Sequence, residues 1–517
     1  TTASNNTAVG MFALRYNTTG AQNTAVGKGS LVANTTGGFN TAAGYGALGV
    51  NTTGAGNTAT GTWALEQNTT GASNTATGKQ ALEYNTTGAN NTASGFQALK
   101  ANTTASYNTA LGSNSLRTNT TGAKNTAVGS DALYLNTTGG DNIAVGHNTL
   151  YSTTTGGDNV AVGNFALDSN TTGSANTALG SSGLTANTTG AGNVAIGFNS
   201  LPANTTAANN IAIGRSAMAN NTTGADNTAV GKEALVANTT GGENVAVGKD
   251  SMKDNTTGSG NSALGVEALT NLTTGGNNTA IGKISLFTNR TGSNNTGLGY
   301  GALRFNTTAS NNVAVGIKAL YNNTTGTANI AMGCEALLNS TTGGQMTAIG
   351  FESMKDNTTG LESTAIGYQS LTNNTTGNSN TALGRKALYT NTTGTGNIAV
   401  GQGALLYNTT ASNNVAMGYD SLLYNTTGAL NTAVGYNSLN ANVTGSANTA
   451  FGYNAGRAFT ADGITAFGKD ALELCTTGIN TAVGGNALAT VTTGASNTAV
   501  GQDALNLNTA GNNTAVG

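Results

Sequence analysis

Read for its apolar and polar positions, the chain is one phrase, N-T-A-V-G-x-x-A-L-x-x-N-T-T-G-x-x, written about thirty times. With the leading Asn as position 1, units begin every seventeen residues from Asn6 to Asn448, then at Ile464, Asn480, Asn497 and Asn513. Position 5 is Gly in every unit, from Gly10 to Gly517. Position 1 is Asn except at Met346, Ser363 and Ile464, and position 9 is Leu or Met except at Gly456. Position 12 is Asn except at Thr153, Leu272, Ser340, Phe459, Cys475 and Val491. The variable letters, with nearly all the Lys, Arg, Asp, Glu and Tyr, collect at positions 6, 7, 10, 11, 16 and 17. A fixed period of this kind announces a repeat architecture and takes precedence over local propensity.

A helical unit fails on chemistry, because Asn and Thr are poor helix formers and each mid-segment Gly costs about 1 kcal/mol. The pattern instead predicts two short strands per unit, "TAVG" at positions 2–5 and a second around "AL" at 8–10. N-T-T-G at 12–15 makes the turn, since Asn and Thr bond their own backbone and Gly supplies φ > 0. One unit orders seventeen residues at roughly 1–2 kcal/mol each. Against this it buries one Val-sized and one Leu-sized side chain, at roughly 1.5–3 kcal/mol apiece. It cannot fold alone.

Stacking resolves this by letting each coil satisfy its neighbours. The fold class that follows is all-β, a parallel β-solenoid of about 30 stacked 17-residue coils. Identical residues then lie in register, and Asn above Asn forms a hydrogen-bonded ladder. The expected structural ladder is typified by Asn6, Gly10, Leu14 and Asn17, and again by Asn23, Gly27, Leu31 and Asn34. Residues 1–447 read as a regular shaft. Residues 448–517 read as the same solenoid with coils of sixteen or seventeen residues. There the missing residue is expected to displace an outer turn near 457–463, with Phe451 and Phe467 filling space that Val leaves elsewhere.

Strand alternation places Thr24 and Val26 on one face and Ala25 with Gly27 on the other. The Ala/Gly face is small and uncharged throughout, which suggests close approach by a second solenoid. The competing reading is that Ala and Gly fill a narrow roll.

Composition narrows the function. Charged residues are 8%, aromatics 5%, and the formal charge is −2, so there is no basic footprint for nucleic acid. No apolar run reaches the roughly 18 residues a membrane helix needs, and no membrane insertion is expected. The chain starts and stops inside a repeat and reads as a processed chain or a segment of something longer. Cys334 and Cys475 stand about eight coils apart, too far for one disulfide.

The phrases "NNTAVG" (Asn5–Gly10), "NVAIG" (Asn193–Gly197) and "NIAIG" (Asn210–Gly214) resemble the N-x-[VT]-A-[IV]-G repeats of trimeric autotransporter adhesin heads. They are more similar still to the N-T-A-x-G arrays of phage and bacterial tail-fibre-like proteins. The likeness covers essentially the whole chain. It implies a left-handed β-roll that forms a homotrimeric fibre and projects from a cell or virion surface. It also implies binding spread along the shaft rather than a catalytic pocket. No cofactor is expected.

Catalytic chemistry finds little support. His147 is the lone histidine and sits at variable position 6, so a His-based triad has one candidate base, more simply a surface side chain. Glu233, Asp250 and Glu267 recur at position 7 but lack a calcium-loop pattern, and read as a solvated face. Ice binding would want Thr at i and i+2 of one strand. The Thr pair at positions 13 and 14 is adjacent instead. Asn-x-Thr sequons recur at about one or two per coil along most of the chain and are equally explained by the turn. A tyrosine ridge at position 6 (Tyr300, Tyr368, Tyr419, Tyr436, Tyr453), with Tyr407 and Tyr424 at position 11, offers contacts to a surface glycan or a neighbouring fibre. The expectation is a non-enzymatic extracellular fibre shaft, and the alternative a monomeric solenoid that binds ice or glycan.

Overall fold

A computed structural model describes residues 3–517. The protein is an all-β parallel solenoid of about thirty turns, and among the described residues there is no helix. It divides into two compact halves, one ending at Ser259 and the other running Gly260–Gly517. In the first half fifteen three-residue strands run from β1 (Thr7–Val9) to β15 (Val245–Val247). In the second, sixteen run from β16 (Ser262–Leu264) to β31 (Thr514–Val516). Within each half every strand pairs in parallel with the strand one coil on, like residue on like position. Thus Ala25 pairs Ala42, and Ala178 pairs Ala195.

Each coil has one strand, not two. The segment around position 8–10 is a succession of turns in which position 9 takes the left-handed conformation, with φ of 48° at Leu31 and 53° at Leu235. Positions 7 and 17 do the same, for example Asp250 at 56° and Asn90 at 58°. Asn, Asp and Gly tolerate this geometry and are common at those two positions. Leu does not, at a cost of roughly 1–2 kcal/mol. Full burial of its side chain offsets that cost. The turns still bond coil to coil, as Leu31 N–H does to Ala47 O at 3.0 Å and Ala33 N–H to Gly49 O at 3.1 Å. The segment is laddered like a strand without being one.

The strand faces are also the reverse of the expected burial. Ala at position 3 is wholly buried, while Val26 keeps 43% of its surface exposed. The coil is too thin for a Val on its inner side, so Ala fills the narrow interior and positions 2 and 4 look outward. The small face therefore lies inside each coil and is not the surface for a second solenoid. The glycine at position 5 is fixed for two reasons. Gly27 has φ of +128°, and a Cβ there would meet Gly44 O at 2.5 Å.

Two asparagine ladders close the core. Asn34 Nδ2 donates to Asn17 Oδ1 at 2.8 Å and to its own coil's Gly37 O at 2.8 Å. Asn23 N–H donates to Asn6 Oδ1 at 2.8 Å. The first coil is looser. Leu14, Asn6 and Asn17 are partly exposed and Gly10 is exposed, whereas Asn23, Leu31 and Asn34 are buried and Gly27 is partly so. In every sixth coil position 15 is Ala (Ala105, Ala207, Ala309, Ala411). In three of these the position-13 amide bond to the next coil lengthens to 3.1 Å and the companion bond from position 14 is lost, at Thr103, Thr205 and Thr307. The added methyl props the corner open.

The sixteen-residue coils keep strand register, Thr449 pairing Thr465. In the coil beginning at Asn448 the missing residue comes out of the 13–15 turn. Asn448 Nδ2 bonds the carbonyl of Ala461, thirteen residues on, where its counterparts reach fourteen. Inside, Phe459 is wholly buried where other coils carry the ladder Asn, and Ile464 and Leu439 close the space beside Gly456 that a core Leu fills elsewhere. Phe451 and Phe467 do not fill interior space. They lie on the outward strand face and stack on each other at 4.9 Å. Both cysteines are free thiols.

Candidate functional site

Because the interior is built from Ala, Leu and Asn, any contact must be made by the outward columns. The broadest is the strand face. Position 2 is Thr, Val, Ile or Ser and position 4 is uncharged in every strand of both halves. Many of these side chains are markedly exposed, among them Ile143 at 42%, Leu264 at 50% and Phe467 at 49%. Sequence reasoning missed this face by assigning Val to the core. The signal was the β-branched residues that replace Thr at position 2, such as Ile143 and Val160, which a buried Ala column does not require. Three neighbouring strands, β4 (Thr58–Thr60), β5 (Thr75–Thr77) and β6 (Thr92–Ser94), carry hydroxyls at both outward positions.

The Thr column at position 13 is committed to structure. Thr35 Oγ1 donates to Thr52 O at 3.0 Å, and the same bond recurs from coil to coil. The position-12 asparagines of the N-T-T sequons are buried, with both amide hydrogens of Asn34 donated inside the stack.

The charged ridge is largely self-neutralised. Glu233 lies 3.2 Å from both Lys232 and Lys253, and those hydrogen bonds hold its carboxyl below the usual range. Lys355 bridges Glu335 at 2.8 Å and Glu352 at 2.7 Å, and its ammonium is held well above the ordinary lysine value. His147 packs edge-on against Phe165 at 5.5 Å. Nearby, Asp168 is raised mainly by burial, with His147 opposing the shift.

The tyrosine ridge divides. Tyr419, Tyr436 and Tyr453 form one stacked column with centroids 5.3 and 5.2 Å apart. Tyr368 stacks instead on Phe351 at 5.4 Å. Tyr300 stands apart, with Lys283 and Ile317 as its column neighbours. Tyr407 and Tyr424 stack at 5.4 Å with planes 3° apart. This pair divides two hollows. One, of about 630 Å³, is walled by the two rings with Thr409, Thr426, Ala441 and Val443. The other, of about 310 Å³, includes Arg385, Lys386, Gln402 and Asp420. Comparison with known proteins finds no family model and no curated protein that matches this chain.

Proposed function

We propose that the chain is a non-enzymatic extracellular fibre shaft whose copies associate side by side, as a homotrimer, through the outward strand face. The observation that supports this reading is the unbroken uncharged stripe at positions 2 and 4. At about 4.8 Å per strand, fifteen strands make a stripe roughly 70 Å long and about 10 Å wide. That is on the order of 700 Å² of uncharged surface, with Thr at most position-2 sites. It is close to the about 800 Å² each partner buries in a standard interface. The position-4 side chains are mostly small or aliphatic and can interdigitate with like columns, and the absence of charge removes the usual penalty of like meeting like. The resemblance to trimeric adhesin heads supports three as the number of copies.

Light scattering coupled to size exclusion tests the reading. The expected result is a trimer that dissociates when Val162 and Leu179 are both replaced by Glu. A clean monomer of the unaltered protein at micromolar concentration would overturn it. The competing reading, a monomer that binds ice, draws on the paired hydroxyls of β4 to β6, which cover three strands of fifteen.

A further inference from the structure

We infer that the Tyr407–Tyr424 pair is a subsite for an acidic oligosaccharide, a chain of pyranoses that carry carboxylates. It goes beyond the shaft reading, because it assigns one local ligand to one stretch of the second half.

The first support is the open ring faces. The two rings occupy position 11 of successive coils, and the same column continues with Thr390 on one side and Ala441 on the other. Both of these small residues line the 630 Å³ hollow with the rings. Each ring therefore has one face against its partner and one face open. Some exposed rings elsewhere are closed by a cation. The Arg117 guanidinium lies 5.4 Å from the Tyr134 ring, and that of Arg304 lies 5.0 Å from Phe305 and 5.7 Å from Tyr321. No such cation caps Tyr407 or Tyr424 among the described residues. A flat ring laid above Ala441 continues the stack at one further coil spacing, and a pyranose presents the C–H face that such stacking takes.

The second support is the polar hollow on the other flank of the same rings. Gly403 stands at position 7, which is Gly in four coils and carries a side chain in the rest, and the Asp420 carboxylate occupies the space a Cβ there would need. Among the described residues Arg385, Lys386 and Asp420 form no salt bridge, unlike the lysines and glutamates farther down the ridge. Burial raises the Asp420 carboxyl above its usual range. A cation pair, an amide at Gln402 and a half-buried carboxyl are the partners that a sugar carboxylate and its neighbouring hydroxyls require. Arg385 and Lys386 lie three coils, roughly 14 Å, from Ala441, and Lys386 also rests over Tyr389 at 5.1 Å. The carboxylate that this hollow would take therefore belongs to another sugar of the same oligosaccharide, not to the one stacked above Ala441. A neutral apolar ligand leaves all four unused. The Thr hydroxyls on the apolar flank are already spent on carbonyls, Thr409 on Thr426 and Thr426 on Val443. They supply methyl contacts only.

The test is titration of the full chain with trigalacturonate, and with neutral maltotriose as comparison, followed by NMR or calorimetry. The expected result is saturable binding of trigalacturonate, at least tenfold tighter than maltotriose. Tyr424→Ala should weaken it at least tenfold. Arg385→Gln with Lys386→Gln should reduce trigalacturonate to the maltotriose level. Ala441→Tyr extends the stack with a residue that position 11 already accepts, so it should close the open face and abolish binding while leaving the fold intact. Equal binding of the two sugars, no saturable binding of either, or binding indifferent to Ala441→Tyr would each overturn the assignment.

Discussion

Asn23 and Asn34 both donate their side-chain amides to a single acceptor, the carbonyl of Gly37, at 2.9 and 2.8 Å. One belongs to position 1 and the other to position 12, so the two ladders meet at one carbonyl in the coils that carry both asparagines. The second hydrogen of Asn34 reaches the coil below. Each coil is thereby pinned to itself and to its neighbour by the same pair of side chains.

This junction makes position 12 sensitive to charge. Asn187 is buried, donates to Asn170 Oδ1 at 2.9 Å and to Gly190 O at 3.0 Å, and accepts from Asn204. Asn187→Asp loses both donors and sets a carboxylate against two acceptors. Gly190 O keeps its bond from Asn176, so Asn170 Oδ1 is the buried acceptor left unpaired, at about 1–3 kcal/mol. Hydrogen exchange should show faster exchange in the coils on either side and unchanged protection several coils away, because each repeat is supported by its neighbours. Uniform loss of protection along the chain would contradict the nearest-neighbour picture.

Glycine positions separate sharply. At Gly180 φ is +135° and a Cβ would come within 2.6 Å of Gly197 O. Gly180→Ala should lower local stability by more than about 2 kcal/mol, combining backbone strain with a clash that neither coil can relieve. Gly29 also has positive φ, +70°, but a Cβ there meets nothing within 4 Å. Gly29→Asn should change the melting temperature little. Equal effects of the two, measured by thermal denaturation, would show that stacking distance is not what fixes position 5.

The period, the single-coil register and the ladders could all be read in the sequence, because a residue that must match its copy above and below cannot vary. What could not be read was the direction of the strand. Alternation at "TAVG" says that Thr24 and Val26 share a face, but not which face is inside. Hydrophobicity favoured Val, and coil thickness decided for Ala25. The second strand was misread for a related reason. "AL" looks like strand because it is apolar and hydrogen-bonded between coils, yet Leu31 at φ of 48° is a turn residue held in place by burial. The tyrosine columns were legible as repeats at positions 6 and 11. The hollow beside Tyr407 depended on what was small nearby, namely Ala441 and Gly403.

Burial and exposure can be compared within one coil. Leu235 is wholly buried and Lys232 is at the surface, paired with Glu233. Leu235→Asp should open a local defect worth several kcal/mol, through an unpaired buried charge and a lost core side chain. Lys232→Ala should stay within about 0.5 kcal/mol. Calorimetry on both variants checks the assignment, and similar shifts in melting would refute it.

The two thiols should react at different rates. Burial pushes the Cys475 thiol up, and its sulfur is enclosed, hydrogen-bonding Thr477 O at 3.3 Å. Cys334, at outward position 6, is partly exposed. The thiolate is the nucleophile, so alkylation at neutral pH followed by mass spectrometry should modify Cys334 first. Cys475 should follow only on denaturation. Equal labelling of the native chain would mean that the coil around Cys475 opens readily.

The irregular coil offers a test of how an apolar pair replaces a ladder link. Phe459 stands where other coils carry Asn, and Gly456 where they carry Leu. A Cβ on Gly456 would lie 2.7 Å from Ile464 Cδ1 and 3.2 Å from Leu439 Cδ2, so these two aliphatic side chains close the space where other coils hold Leu. Gly456→Leu alone overpacks the coil and should cost about 1–3 kcal/mol. Phe459→Ala alone leaves a cavity and should cost about 3–5 kcal/mol. Together they restore the aliphatic side chain while the room vacated by the ring lets Ile464 withdraw from it. The double variant should therefore lose less than the sum of the two by more than about 1 kcal/mol, beyond the roughly 0.3–0.5 kcal/mol within which independent sites add. Strict additivity in a denaturation cycle would mean that Phe459 and Gly456 do not share that volume, and that the coil accommodates the missing residue through its outer turn alone.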